Sequence, residues 1–382
     1  MILQSIKEKV IYLDNAATTA LDPRVAEAMA PYLKEAYGNP SMTYRLGNIS
    51  KVAIEQARRT ITTLLHGEEG NIWFTSGGTE ANNWAIKGIV EANKITHIIT
   101  SPIEHMSVRQ PIAYLAKKGI VQVHYLPLDA TGHIIYPRLA ELLQKYPKAL
   151  VSLMHGNNEI GNITDIYRVG AYCKAAGALF HSDMVQTLGM LPIQLKDCPV
   201  DIVVGSAHKF HGPKGVGFIY VRHGIPIAPL LHGGAQEQGS RAGTENVAYI
   251  VGMAKALSLA VAERTEHMAH IQKLKQACIT GLVRAVPSII FHGACRSLAE
   301  SLPHILNVAF PWEKYRDTLL LQLDIAHIYA SAGSACMSGT QKHSHVLEAL
   351  GVPRTYPVMR ISFGKYNTLA HVQQLTKKIA AY

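Results

Sequence analysis

Three short segments carry residues whose types and order could support imine chemistry. Phe74-Thr75-Ser76-Gly77-Gly78-Thr79-Glu80 reads as a strand end, a glycine turn and a helix start. Such a turn leaves backbone N–H groups unpaired at the positive end of a helix dipole, a geometry that binds phosphate. It has neither the GxxxxGK(S/T) of a nucleotide loop nor the GxGxxG of a dinucleotide site, and a plain glycine turn capped by Thr79 would leave the same string. Leu179 to Asp183 ends a second strand in an aspartate, which can pair with a pyridinium nitrogen or simply cap a helix. Ile202 to Ser206 leads into Ala207-His208-Lys209, an amine just past a buried strand, where partial burial favours the neutral nucleophile. A solvated lysine would fit there too, and Lys214, between Gly-Pro and Gly, is a rival in a looser turn. In that chain order, a phosphate turn, a strand-end Asp183 and a later strand-end Lys209 describe a pyridoxal 5′-phosphate site better than any other common cofactor.

Two further side chains could act on a substrate. Cys336 lies in Ala330 to Thr340, a run of small residues with little to bury, so it is expected to be mobile and to reach more than one place, or else to be an inert surface thiol. Arg360 alternates with apolar neighbours in Val358 to Ser362, as if one strand face carried a single guanidinium, suited to a carboxylate or to a structural ion pair. His208 and His211 have an HxxH spacing without a nearby carboxylate or cysteine, so no metal site is expected. Neither HExxH nor GxSxG occurs, which removes support for zinc-protease and serine-hydrolase chemistry.

These residues need a scaffold, and the pattern between Ile72 and Tyr220 supplies one. Seven β-rich runs, at 72–75, 97–101, 121–126, 150–155, 179–183, 202–206 and 216–220, alternate with helix-prone stretches. That is the α/β pattern of a mainly parallel seven-stranded sheet covered by helices, whose ligands bind beyond the carboxyl ends of the strands. Asp22-Pro23 opens a helix through about Glu35, Lys51 to Leu65 is amphipathic, and Asn39-Pro40-Ser41 is the turn between them. A long helical stretch, Glu245 to about Ala285, hands over to weaker strands near 289–292, 305–308, 327–331 and 359–362, the mark of a smaller α+β domain. The expected division is a large domain over 15–260 and a small one over 1–14 plus 261–382.

Composition narrows the class. The chain has 382 residues, 48% hydrophobic and 17% charged, which is globular. No apolar run approaches a membrane span, and Lys7, Glu8 and Lys9 stand where a signal peptide needs an apolar core. The balance of 37 Lys+Arg against 27 Asp+Glu, +10 in all, favours acidic partners. That charge is scattered, so sequence-specific nucleic-acid binding is not expected. Five cysteines without a CxxC pair argue against a disulfide framework and fit a reduced cytoplasm.

The strings Tyr12 to Thr19, Gly38 to Ser41, Phe74 to Asn83, Glu104-His105, His155 to Gly161, Ser182 to Gln186, Ser206 to Lys209 with Gly212 to Gly215, Arg241 to Asn246, Ser331 to Cys336 and Arg360 to Gly364 resemble, in order and over nearly the whole chain, the cysteine desulfurases, class V of the pyridoxal-phosphate aminotransferase superfamily. The resemblance implies the fold type I architecture of that superfamily and conversion of L-cysteine to L-alanine, with the sulfur held as a persulfide on Cys336 and passed to an acceptor protein for iron–sulfur assembly or tRNA thiolation. It implies that Lys209 carries the cofactor, His105 stacks on its ring and assists proton transfers, and Asp183 pairs with the ring nitrogen. Asn158 and Gln186 would contact the ring's oxygen side. Thr79, Ser206 and His208, with the Gly77-Gly78 backbone, would hold the phosphate, and Thr244 would reach the phosphate of a neighbouring subunit in a homodimer. Arg360, helped by Asn39, would bind the substrate carboxylate.

Met42-Thr43-Tyr44 and Gln341 to His345 depart from the family pattern, and the chain stops at Tyr382 without the tail that housekeeping members use for docking, which leans towards a specialised acceptor. A selenocysteine lyase, or a related lyase that forms no protein persulfide, is the nearest alternative. A non-catalytic docking protein for tRNA or an acidic partner would require the loss of a central group, and Lys209, Asp183, His105 and Cys336 are all present.

Overall fold

The computed structural model describes residues 10–312, 315, 317–332 and 344–382. Cys336 lies outside the described residues. The chain enters through a short strand β1 (Ile11–Tyr12) and reaches α1 (Pro23–Lys34), where Asp22 accepts the Arg24 N–H at 2.9 Å and Pro23 fills the first turn, as the Asp-Pro pair requires. Helix α2 (Arg45–Leu65) starts earlier than the amphipathic stretch from Lys51 suggests, because Gly47 and Ser50 already lie on the buried face that Ala53, Ile54, Ala57, Ile61 and Leu65 continue.

Strands then alternate with helices: β2 (Gly70–Thr75), α3 (Gly78–Asn93), β3 (His97–Thr100), α4 (Met106–Lys117), β4 (Gln122–Tyr125), α5 (Tyr136–Lys145), β5 (Leu150–Ser152), α6 (Ile166–Ala176), β6 (Leu179–Asp183), β7 (Ile202–Ser206) and β8 (Gly217–Arg222). They form one seven-stranded sheet in the order β2-β8-β7-β6-β5-β3-β4. All neighbours are parallel except β8, which runs against both β2 and β7. The reversal has a simple cause: β7 and β8 are joined by a short connection with no crossover helix, and such a return must be antiparallel. Lys209 opens that connection.

Alternate residues of the strands face two separate apolar layers. Phe180, Val203, Phe218 and Tyr220 pack against α1, α2, α5 and α6, whereas Ile98, Leu150, Ile202, Val204 and Ile219 pack against α3 and α4. Central strands buried on both faces read as nearly continuous apolar runs, which is why the sequence displays them clearly.

The long helical stretch is two helices, α7 (Val247–Ala262) and α8 (Arg264–Ala285), divided at Glu263, whose backbone (φ −95°, ψ 3°) leaves the helical path. Then follow β9 (Ile290–Phe291), β10 (Ile305–Ala309), α9 (Leu319–Ile325), β11 (Ile328–Tyr329), α10 (His345–Ala349), β12 (Val358–Ser362) and α11 (Leu369–Ala380). Strands β12-β10-β9 make an antiparallel sheet whose residues share a second core with α8 and α11. Strand β1 pairs in parallel with β11, Ile11 opposite Ile328, and Asp14 bridges to Ser362, so the first described residues belong with the last strands. Two residues pairing across nearly the whole sequence leave no local pattern, and the sequence reading did not anticipate β1 as a strand. No helix among the described residues is long and apolar enough to cross a membrane.

Candidate active site

Beyond the carboxyl ends of the central strands lies a cavity of about 190 Å³. Gly78, Thr79, His105, Asn158, Asp183, Gln186, Ser206, His208, Lys209 and Arg360 all line it. The turn at its edge depends on glycine. Gly77 has φ +153°, a conformation L side chains avoid, and a Cβ on Gly217 of the adjacent β8 would stand 2.8 Å from the Gly77 backbone. The turn therefore lies directly on the sheet and delivers the start of α3 to the cavity, beside the buried Ser206. His208 accompanies it, with Nδ1 3.1 Å from Thr18 Oγ1. Burial, aided by Lys209 and Lys214, pushes its pKa down to about 4, so the ring is neutral at pH 7.

Asp183 ends β6 and is 6% exposed. Its Oδ1 accepts the Val185 N–H at 3.0 Å and its Oδ2 the Asn82 amide at 2.7 Å. His105 caps α4 with its own ring, Nδ1 accepting the Ser107 N–H at 3.1 Å. Lys209 Nζ donates to the carbonyls of Ala16 (2.5 Å) and Ala17 (2.8 Å), which lie just beyond β1. Ala16 O also receives Gln186 Nε2 at 2.9 Å, and Gln186 Oε1 meets His304 Nε2 at 3.3 Å. Arg360, 1% exposed on β12, gives Nη2 to Asp14 Oδ1 at 2.7 Å and Nη1 to the Asn158 carbonyl at 2.9 Å. Its Nε is buried and has no hydrogen-bond partner among the described residues. Arg360 is thus ion-paired with Asp14, and it also lines the cavity.

Asn39 and Thr244, the latter expected at the phosphate of a neighbouring subunit, do not line this cavity. Asn39 is exposed, does not line the cavity, and its Oδ1 accepts the Ser41 N–H at 2.9 Å within its own turn. Thr244 is also exposed and outside the cavity. Nearby Arg241 grips Glu80 through Nε (2.8 Å) and Nη2 (3.1 Å), while Glu80 also accepts the Ser76 N–H, which joins this segment to the glycine turn.

The structure adds residues that no motif singled out for a role. Asn82 sits on the sheet-facing side of α3 among Ala81, Trp84, Ala85, Ile86 and Ile89, and Ser107 on the buried side of α4 beside Val108, Pro111 and Ile112. A polar residue on an otherwise apolar helix face was the available signal. Glu104 is fully enclosed, with Oε1 accepting the Met154 N–H at 3.0 Å and Oε2 lacking a partner among the described residues. Burial drives its carboxyl well above the usual range, opposed by the Met154 N–H and reinforced by Asp183. Glu159, also lining the cavity, accepts a short hydrogen bond from Ser344, the residue that caps α10. Among the described residues no group of three or more His, Cys, Asp or Glu is placed to hold a metal.

These residues fit a pyridoxal phosphate. A glycine turn at a helix start with Thr79, Ser206 and a neutral His208 suits the phosphate, the buried Asp183 carboxylate suits a protonated ring nitrogen, and Lys209 stands in the same cavity as an amine for the aldehyde carbon.

The profile of the family described as Aminotransferase class-V matches residues 11–375. A cysteine desulfurase IscS of Methanosarcina thermophila is 44% identical over 98% of this chain and 92% of its own length, and one of Dictyoglomus turgidum is 41% identical over 94% and 91%. Among solved structures, a NifS-like protein superposes with a TM-score of 0.89 at 39% identity, covering 97% of this chain and 98% of its own. One described as SspA in complex with cysteine gives 0.80 at 30%, covering 94% and 100%.

Proposed function

The chain belongs to the aminotransferase class-V family and is a cysteine desulfurase dependent on pyridoxal 5′-phosphate, and from that premise we propose how its residues divide the work. The observation that carries the assignment is the single cavity into which two sheet strands, two helix starts and β12 bring Asp183, Lys209, Thr79, His105 and Arg360. When bound, the cofactor supplies a conjugated ring that draws electrons away from the substrate's Cα.

Lys209 would hold the cofactor, and its free amine would take the substrate's Cα proton on Nζ; the Ala16 and Ala17 carbonyls keep that amine at the cavity wall. Asp183 keeps the ring nitrogen protonated, and the Val185 N–H and Asn82 amide hold its carboxylate in place. Gln186, held between Ala16 O and His304, and Asn158 flank the ring's oxygen side. Thr79, Ser206, His208 and the Gly77-Gly78 backbone hold the phosphate. Arg360 binds the substrate carboxylate through the edge of its guanidinium that carries Nε, which has no partner among the described residues.

The thiolate of Cys336 attacks the substrate sulfur. A sulfur–sulfur bond forms as the carbon–sulfur bond breaks, the bonding pair stays on carbon, and after protonation the carbon skeleton leaves as alanine. Cys336 then passes its sulfur to an acceptor protein, an iron–sulfur scaffold or a tRNA-thiolating enzyme. Cys173, Cys198, Cys278 and Cys295 are buried free thiols, and burial raises the pKa of each, which leaves them poor nucleophiles and supports Cys336 for this role and a reducing, cytoplasmic setting. The exposure of Thr244 beside the Arg241–Glu80 clamp supports a homodimer in which it completes the partner's phosphate site.

The test is to incubate the purified protein with L-cysteine and measure alanine and protein-bound sulfur together. Equal amounts of alanine and Cys336 persulfide in the first turnover are expected. Cys336→Ser should keep the visible colour of the bound cofactor yet form no persulfide, and alanine release undiminished in that variant would refute the sulfur path.

A further inference from the structure

Asn82, 1% exposed, spends both hydrogens of its amide inside the protein: Nδ2 donates to Asp183 Oδ2 at 2.7 Å and to Ser107 Oγ at 2.8 Å. Turning the amide over would set its oxygen against a carboxylate oxygen, so Asp183 fixes which way Asn82 points. Ser107 Oγ, already an acceptor, has one hydrogen of its own to give, and its other neighbour is His105 Nδ1 at 2.7 Å. The Ser107 backbone N–H converges on the same nitrogen at 3.1 Å, where it closes the cap of α4. A ring nitrogen that accepts from two donors carries no hydrogen, so the ring's hydrogen is on Nε2. The hydroxyl can rotate; the backbone N–H cannot.

We propose that Asn82 and Ser107 are positioning residues that transmit the orientation set by Asp183 to His105, holding its imidazole as the neutral Nε2–H form in the resting protein. This rests on the role assigned above to Asp183 and on the ring-stacking role that the family resemblance implies for His105. A second proton on His105 would have to enter at Nδ1, facing an N–H that cannot turn away, and would undo the helix cap. Among the described residues, the charged and titratable groups that bear on the ring are Asp183 at the end of β6, Lys209 beyond β7 and His345 on α10, with Glu104 preceding it in the chain. Burial is the largest influence and opposes protonation, Asp183 favours it and Lys209 opposes it.

The test is nuclear magnetic resonance of the resting full-length holoenzyme labelled with 15N in histidine, with the His105 signals assigned by their loss in His105→Gln. The wild type should show the Nε2–H pattern from about pH 8 to about pH 6, without an imidazolium signal. Ser107→Ala should raise the midpoint at which imidazolium appears by about half a unit to one unit, the worth of one neutral hydrogen bond, and Ser107→Thr should restore it. Asn82→Ala should move the midpoint in the same direction by less, and the double variant no further than Ser107→Ala alone, because both act along one path. An Nδ1–H pattern in the wild type, imidazolium at neutral pH, or additive shifts would overturn the proposal. The readout needs no turnover, so its failure would leave cysteine desulfuration standing, whereas failure of that reaction would show as missing alanine beside an unchanged spectrum.

Discussion

The two walls of the cavity are built differently. On the side of the large sheet, Asp183, Ser206, Lys209 and His105 each stand at a strand end or a helix start, within a few residues of the element that aims them. On the other side, Arg360 depends on Asp14, Glu159 on Ser344, and His345 on the Glu104 carbonyl, contacts that join segments far apart in the chain. The first wall places its groups by local backbone geometry, the second by pairing buried polar groups across the fold. Chemistry that relies on one fixed amine and one fixed acid sits on the first. The carboxylate-binding role proposed for Arg360 sits on the second.

This contrast can be broken by substitution, and the largest effect belongs to the first wall. Lys209→Ala should leave the fold intact but remove covalently held cofactor and lower alanine formation at least about a thousandfold, as expected when a nucleophile that is also the base is lost; absorbance and alanine assays read both. A variant still turning over within about tenfold of wild type would mean that the local wall is not where the chemistry lies.

The second wall should lose stability. Arg360 and Asp14 form a pair whose side chains are 2% and 18% exposed. Asp14→Ala should cost about 3 kcal/mol in urea unfolding, because it strands a buried guanidinium, while Lys209→Ala costs far less. Equal losses in the two variants would erase the distinction drawn here.

A gentler probe uses pH. The Glu104 carboxyl has its pKa raised in the folded protein, chiefly by burial. Above the pKa of the unfolded chain, the native state therefore holds a proton that the unfolded state has released, and this group's contribution to stability falls as pH rises towards its folded pKa. Lys275 in the second core has the opposite history: burial lowers its amine to about 8, so between that value and the unfolded lysine pKa the unfolded state binds more protons and stability rises with pH. Urea midpoints should thus show Glu104→Gln gaining on wild type from pH 5 to pH 8, and Lys275→Met losing ground from pH 8 to pH 10. Parallel pH curves for wild type and either variant would contradict the burial argument for that group.

The smallest effect should come from Asn39→Ala, which removes a turn bond outside the cavity. It should alter KM for cysteine by less than about twofold and stability by less than about 0.5 kcal/mol. A tenfold rise in KM would return Asn39 to the substrate site, where the family resemblance had put it.

Legibility in the sequence followed the same divide. The seven runs of the large sheet, the glycine turn and the strand-end Asp183 and Lys209 could be read because each is a local pattern, two periodicities meeting at a polar residue. Arg360 was visible as a lone cation on an apolar strand, but its partner Asp14 was not, since nothing near residue 14 announces a contact with β12. Asn82 and Ser107 were hidden for another reason. A single polar residue on a helix looks like surface until the helix's orientation is known, and that orientation comes from the sheet beneath it. The split at Glu263 between α7 and α8 was missed because both flanks are helix formers and the break carries neither glycine nor proline.

The pairing of β1 with β11, and of Asp14 with Arg360, sets a timetable for synthesis. A nascent chain leaving the ribosome can assemble the large sheet and seat its lysine while residues beyond 300 are still untranslated, but Asp14 must wait for Arg360 before the substrate-facing wall exists. On the role proposed for Arg360, a ribosome stalled late in the message would carry a chain that has its amine and acid in place and no grip on an amino acid, so cysteine would be safe from it until the last strand arrives.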